Sequence, residues 1–288
     1  MSVMHEYLSF KAENRLNTRV FGDRVRLQRF LRDRLDGIWS ERPKFSNGGL
    51  LRNYMTGFAL GFAYYDCRPT KFCELRCYGL PLAGAFDYNM LRLGVITSES
   101  LKTGDPRFLE PLSERLKHLQ YLKIGHWGDA APEQIPVITN LVTQHSNTTF
   151  WWYTRKQEIA KAVNDYRLPN LRAYLSLDPN TRYPSSAKYP YGITYFFGDG
   201  LRHEKHEDIL RDRRLVALFV QKKGASLEDP LDYGVESHPK LCEEKRLVIS
   251  GVETHEMCLS CVGRCRYGTP GEIAEQEDWR GGHEMESS

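Results

Sequence analysis

The sequence predicts an α/β protein organised around a parallel sheet, and three observations carry that expectation. Short apolar runs rich in β-branched and aromatic residues alternate with longer stretches of helical periodicity, the pattern of βαβ units. The runs end in polar turns that contain Gly, Pro or Asp. The 288 residues are 41% hydrophobic and 27% charged, enough to bury a sizeable core without disulfide staples. Six or seven such units fit a partial (βα) barrel and an open doubly wound sheet alike, and periodicity does not separate the two.

Residues 1–47 read as a helical lead-in. Between Lys11 and Arg34 eight basic residues stand against three acidic ones. Leu27, Phe30, Leu31 and Leu35 fall at helical spacing, with Arg26, Arg29, Arg32 and Arg34 around them. An amphipathic helix with a solvated basic face is the plain reading; a nucleic-acid or phosphate contact is the sharper one. Ser46-Asn47-Gly48-Gly49 breaks the pattern and marks a hinge into the main domain. Strands are then expected at 58–65, 121–124, 149–154, 171–177, 193–197 and 215–220, with a further short one at 247–249. Helices are expected at 82–95, 107–119, 133–145, 156–166 and 203–211, the second capped by Asp105-Pro106. The βα domain therefore spans 48–235, a cysteine-rich extension follows over 236–267, and a Gly- and Glu-rich tail closes the chain over 268–288.

The chemistry is concentrated in the cysteines. Cys67, Cys73 and Cys77 fall within eleven residues, directly after the first predicted strand. Spacing alone leaves three readings: a cubane iron–sulfur cluster with one open iron, a zinc site completed from elsewhere, or a redox or nucleophilic set. The last is the weakest, since these three form no close CxxC pair and no His neighbours the loop in sequence. The other four cysteines, Cys242, Cys258, Cys261 and Cys265, form a second group able to close a shell around zinc or a cubane, with His255 a possible substitute for Cys242. Polar residues gather at the ends of the other predicted strands: Gly125 to Asp129, Arg155, Asp178, Gly198-Asp199, and Gln221-Lys222-Lys223. In parallel α/β folds functional sites collect at those ends.

A first-strand loop with three cysteines, the last adjoining an aromatic residue, resembles the radical S-adenosylmethionine superfamily. The usual spacing there is CxxxCxxC, whereas this chain has five residues between Cys67 and Cys73, three between Cys73 and Cys77, and Tyr78 after the last cysteine. A nearer likeness is to phage and prophage proteins with a wide cysteine box ending in Cys-Tyr, a strand ending in Gly-Asp, a strand ending in Tyr-Thr-Arg and a C-terminal cysteine cluster. Those elements are Cys77-Tyr78, Gly128-Asp129, Tyr153-Thr154-Arg155 and the group around Cys258 and Cys265, so the likeness covers residues 47–267. It implies a partial (βα)6-type barrel of TIM-barrel-like form, with the helical lead-in and the cysteine-rich extension at its two ends. It implies that Cys67, Cys73 and Cys77 hold a [4Fe-4S] cluster whose fourth iron takes S-adenosyl-L-methionine. Gly128 and Asp129 would receive the methionine amino group, and Arg155 its carboxylate. An external one-electron donor would reduce the cluster, releasing a 5′-deoxyadenosyl radical for hydrogen abstraction. The C-terminal cysteines would hold a second [4Fe-4S] cluster or zinc.

Each residue also has a plain reading. Asp129 suits a helix N-cap, His126 and Trp127 suit packing at a strand end, Trp151 and Trp152 suit the core, and His203 and His206 suit a solvated helix face. A nucleotide, a nucleic acid or a peptide is the expected substrate, and the phage likeness and the basic lead-in lean towards nucleic acid. The alternatives to a radical enzyme are a zinc-stabilised binding module and a simple electron carrier. The N-terminus lacks a signal-peptide pattern and no apolar stretch reaches membrane length, so a cytoplasmic protein without a membrane partner is expected. In that compartment cysteines serve as ligands or free thiols.

Overall fold

The computed structural model describes residues 2–41, 50–53, 57–77, 87–198 and 200–220. Expectations placed on Ser46 to Gly49, Tyr78, Asp199, residues 221–235, the strand at 247–249, the extension at 236–267 and the tail at 268–288 lie outside the described residues.

Three helices open the chain: α1 (Val3–Glu13), α2 (Phe21–Arg32) and α3 (Leu35–Ser40). Ser2 caps α1 by accepting the His5 amide at 3.3 Å. Leu27 and Leu31 of α2 are buried, as their spacing requires, but the basic side of the helix is not wholly solvated. Arg24 is 1% exposed, donates to the Tyr64 hydroxyl at 3.0 Å and to the Thr18 carbonyl, and lies over the Tyr64 ring. Its neighbour Gln28 is buried too, bonded to the Leu91 carbonyl at 3.1 Å and to the Tyr64 amide. An arginine is tolerated so deep because its donors are satisfied. These helices share one core with the first half of the sheet, including Tyr7, Leu27, Leu60, Val95, Ile124 and Trp152.

The strands are β1 (Leu51–Asn53), β2 (Gly57–Leu60), β3 (Tyr121–Ile124), β4 (Thr149–Thr154), β5 (Leu171–Leu177), β6 (Ile193–Phe197) and β7 (Leu215–Val220). They form one sheet in strict chain order; β1 is antiparallel to β2, and β2 to β7 are mutually parallel. The order never reverses, so the doubly wound alternative, which needs a switch point, does not apply. The first strand expected at 58–65 stops at Leu60; the chain then runs through a 3-10 turn at Tyr64–Asp66 into α4 (Lys71–Leu75). The helix expected at 82–95 is α5 (Asp87–Thr103), and it reaches beyond the expected end because Ile96 and Leu101 continue its buried face. The remaining helices are α6 (Pro106–Leu116), α7 (Ile135–Gln144), α8 (Gln157–Asp165) and α9 (His206–Leu210).

Register follows from the pleat. Leu122, Phe150 and Leu171 stand side by side, as do Ile124, Trp152 and Ala173, and all are buried in the core shared with α5, α6 and α7. The alternate positions on the other side of the sheet carry Lys123, Trp151, Arg172, Tyr153, Tyr174, Ser176 and Thr194. Trp151 and Trp152 are both buried, in line with core packing. β5 and β6 are joined without a helix. Arg214 holds that crossover, donating to the Tyr189 carbonyl at 2.6 Å and the Pro184 carbonyl at 2.9 Å while paired with Asp212 at 2.5 Å.

Candidate functional site

The cysteine loop leaves the carboxyl end of β2 and is pinned before it begins. The Ala63 amide donates to Ser98 Oγ at 2.8 Å, Lys102 pairs with Asp66 at 2.9 Å, and the Tyr65 hydroxyl donates to Glu99 at 2.6 Å. All three partners lie on α5. Thr70 caps α4 by accepting the Cys73 amide at 3.0 Å. From there the loop reaches across the ends of β3 and β4 to the end of β5. The Thr70 hydroxyl donates to the Asp178 carboxylate, and the Phe72 amide donates to Asn180 Oδ1 at 2.9 Å.

Cys67, Cys73 and Cys77 take part in no disulfide and are half-buried. Burial pushes the Cys67 thiol well up, helped by the Asp129 carboxylate and by Cys73 and Cys77, while Lys156 opposes the rise. Burial also raises Cys73; Arg155 pulls it back, and Cys77 and Asp178 push it up. The three sulfurs therefore sense one another, and three bare thiolates here would repel. Soft thiolates are the donors that zinc and iron–sulfur clusters take, so the donor set suits such a centre by its chemistry. Among the described residues no group of three or more His, Cys, Asp or Glu is placed to hold a single metal ion. A cubane takes its thiolates at separate corners, so its ligands stand further apart than those of one ion.

The ends of β3, β4 and β5 close around this loop. Asp129 is 8% exposed and accepts from Thr154 Oγ1 at 2.7 Å, the Ala130 amide at 2.9 Å and the Arg155 amide at 3.2 Å. Burial raises its carboxyl, countered by Lys156 and by those donors. Arg155 pairs with Asp178 and lies over the Phe196 ring at 5.4 Å, and its charge pulls the Cys73 thiol down. Asp178 is wholly buried and, besides Thr70 and Arg155, accepts from the Asn180 amide and the Thr181 hydroxyl, both at 2.9 Å. Lys156, also buried, donates to the Asp66 carbonyl at 2.6 Å and the Ala130 carbonyl at 2.5 Å. Gly128 has φ +72°, and a Cβ there would stand 2.3 Å from the Phe62 carbonyl oxygen, so glycine is demanded by close backbone approach.

Of the residues singled out from sequence, the structure brings together Cys67, Cys73, Cys77, Asp129, Arg155 and Asp178, with Gly128 at the base of the Asp129 turn. Cys242, Cys258, Cys261, Cys265 and His255 lie outside the described residues. His203 and His206 are not solvated. The His203 ring donates to the Thr181 carbonyl at 2.7 Å, and His206 bonds the Tyr195 hydroxyl at 3.0 Å. Lys156, Thr70 and Asn180 were missed. Thr70 three residues before Cys73 carries a capping signal, and Asp178-Pro-Asn-Thr181 a turn signal, but nothing local marks Lys156 as buried.

His126 packs at the end of β3, 7% exposed, with Trp127 beside it at 5.2 Å between ring centroids. Burial and then Lys123 lower its imidazole from 6.5 to about 4. The unfolded chain thus binds the proton more readily, and stability drains away as pH falls from about 6.5 towards 4. The expected loss is roughly 3 kcal/mol. Urea unfolding at pH 7 and pH 4.5 should show that slope, and His126→Gln should flatten it.

The geometry defines a singly wound parallel α/β protein with a three-cysteine loop set among acidic and basic strand ends. The Gene product 88 family model matches residues 37–261, well over half of the chain and spanning both the sheet and the loop. The chain belongs to this family, which is of phage type, in keeping with the phage and prophage likeness. No curated protein and no solved structure matches it. Among the described residues no helix is long and apolar enough to cross a membrane.

Proposed function

We propose that the chain is a radical S-adenosylmethionine-type enzyme built on a partial (βα) barrel. The observation that carries the reading is the three-cysteine loop at the carboxyl end of β2, tied through Thr70, Asp178, Arg155 and Lys156 to the ends of the next three strands, where Asp129 also lies. The strand order supports the barrel form, since parallel strands wound one after another on one side curl towards closure.

On this reading the three cysteines hold a [4Fe-4S] cluster. When bound and reduced, that group supplies the electron that splits S-adenosylmethionine into methionine and a 5′-deoxyadenosyl radical. The chain's own residues bind and orient. Asp129 offers the remaining acceptor capacity of its carboxylate to the methionine ammonium, and Gly128 keeps that turn tight against Phe62. Arg155 has donors beyond the one given to Asp178 and can turn them to the methionine carboxylate. The half-buried loop keeps water from the reacting atoms. The substrate is placed among nucleotides or nucleic acids, the electron comes from an external donor, and the setting is cytoplasmic. Cys242, Cys258, Cys261 and Cys265 would hold the second cluster or zinc.

The test is anaerobic reconstitution of the full chain, metal analysis and a cleavage assay. About four irons at the first site and formation of 5′-deoxyadenosine on reduction are expected. Zinc without iron would favour a metal-stabilised binding module. Iron without any cleavage would leave an electron carrier and defeat the radical reading.

A further inference from the structure

We infer that Arg155 and Lys156 form a two-armed cationic clamp beneath the cysteine loop, Arg155 serving Cys73 and Lys156 serving Cys67, with Asp178 setting the charge of the Cys73 arm. The electrochemical part rests on the cluster reading; the positioning part rests on the contacts alone.

The two residues are adjacent at the end of β4, and their side chains diverge. Arg155 goes to Asp178, and its charge bears on the Cys73 thiol. Through Asp178 it is joined to Thr70, whose hydroxyl also caps the helix that carries Cys73. Lys156 goes the other way. Its ammonium bridges the carbonyl of Asp66, the residue before Cys67, and the carbonyl of Ala130, the residue after Asp129. Both the start and the middle of the loop are thus tied to one dipeptide.

The charges are arranged in pairs. Lys156 acts on Asp129 and on Cys67, and Arg155 on Asp178 and on Cys73. A buried ammonium costs several kcal/mol to desolvate unless compensated, and each aspartate compensates one cation before any thiolate forms. Ligated thiolates then tip the site negative, so each cation bears directly on how readily an electron is accepted. Net charge and hydrogen bonds to the sulfurs are what set cluster potentials. Arg155 and Lys156 act here as positioning and charge-offsetting residues.

Opposite signs make the idea testable. Removing a cation strands its aspartate and adds negative charge; neutralising Asp178 does the reverse. Simple loosening of the loop would move every variant the same way. The full-length variants are Arg155→Met, Lys156→Met and Asp178→Asn, with Arg155→Lys and Lys156→Arg as conservative partners. Before metal is added, amide exchange read by mass spectrometry should quicken about tenfold or more for the loss of a charged hydrogen bond. For Lys156→Met that change should fall at residues 64–68 and for Arg155→Met at 70–77, with α7 unaffected. After anaerobic reconstitution, a redox titration followed by electron paramagnetic resonance should place both Met variants at more negative potential than wild type and Asp178→Asn at more positive potential. The conservative variants should return towards wild type. Shifts of one sign throughout, or unchanged exchange at the loop, would overturn the clamp. If Lys156→Met does not fold, Arg155→Met against Asp178→Asn still decides the sign. A wild-type chain that takes up no iron would sink the cluster reading, and the electrochemical role with it, while the exchange result still judges the positioning role.

Discussion

Cys73→Ala is expected to strip the iron from the first site and leave the fold standing. The cysteine sits on the short helix α4 and is half-buried. Its backbone amide, the part that Thr70 caps, is retained by alanine, and alanine suits a helix. Arg155 keeps its pairing with Asp178. The stability change should therefore stay within about 1 kcal/mol, since no cavity of consequence and no unpaired charge is made. Metal uptake has no such reserve. With two thiolates left, a cubane lacks a ligand at a second corner, and up to about four irons per chain should be missing after anaerobic reconstitution. Iron analysis beside a circular dichroism melt reads both quantities. Undiminished iron would remove Cys73 from the ligand set. Loss of fold together with metal would mean that the loop is part of the core rather than a site laid over it.

Gly128→Ala is expected to act on the fold itself, costing about 3–5 kcal/mol as the sum of a strained left-handed residue and overpacking. The φ of +72° already disfavours any side chain. The added methyl would also meet the carbonyl oxygen and carbon of Phe62 at 2.3 and 2.5 Å, which are backbone atoms. They cannot swing aside, because the Phe62 amide is bonded to the Trp127 carbonyl at 2.8 Å in the continuation of the β2–β3 pairing. The urea midpoint should fall sharply with the slope unchanged. A midpoint within error of wild type would show that the Asp129 turn is not held against β2 as described.

Much of this arrangement was readable in advance, for local reasons. The strands after β2 lie where the apolar runs placed them, since a buried parallel strand needs such a run. The cysteine loop and Asp129, Arg155 and Asp178 were marked by following those runs. The errors also share a cause. His203 and His206 lie in a polar segment, yet Tyr195 and Thr181 reach them from other elements and satisfy them in the interior. Arg24 looks like one more basic residue on α2 until Tyr64 arrives forty positions later. Strand β1 is only three residues long and has no pattern of its own.

Sequence alone determined the class of fold, the order of its units and the clustering of three sulfurs after the first parallel strand, because periodicity and spacing are properties of neighbouring residues. The tertiary structure decided the rest. It resolved the winding of the sheet into a single sequential order, and it turned Asp178 from a strand-end residue into the buried junction of Thr70 and Arg155, the former 108 positions away. It also drew Lys156 under the start of the cysteine loop, 90 positions distant. Such charges are stable in the interior only when a partner from a remote strand meets them, and no local pattern records that meeting.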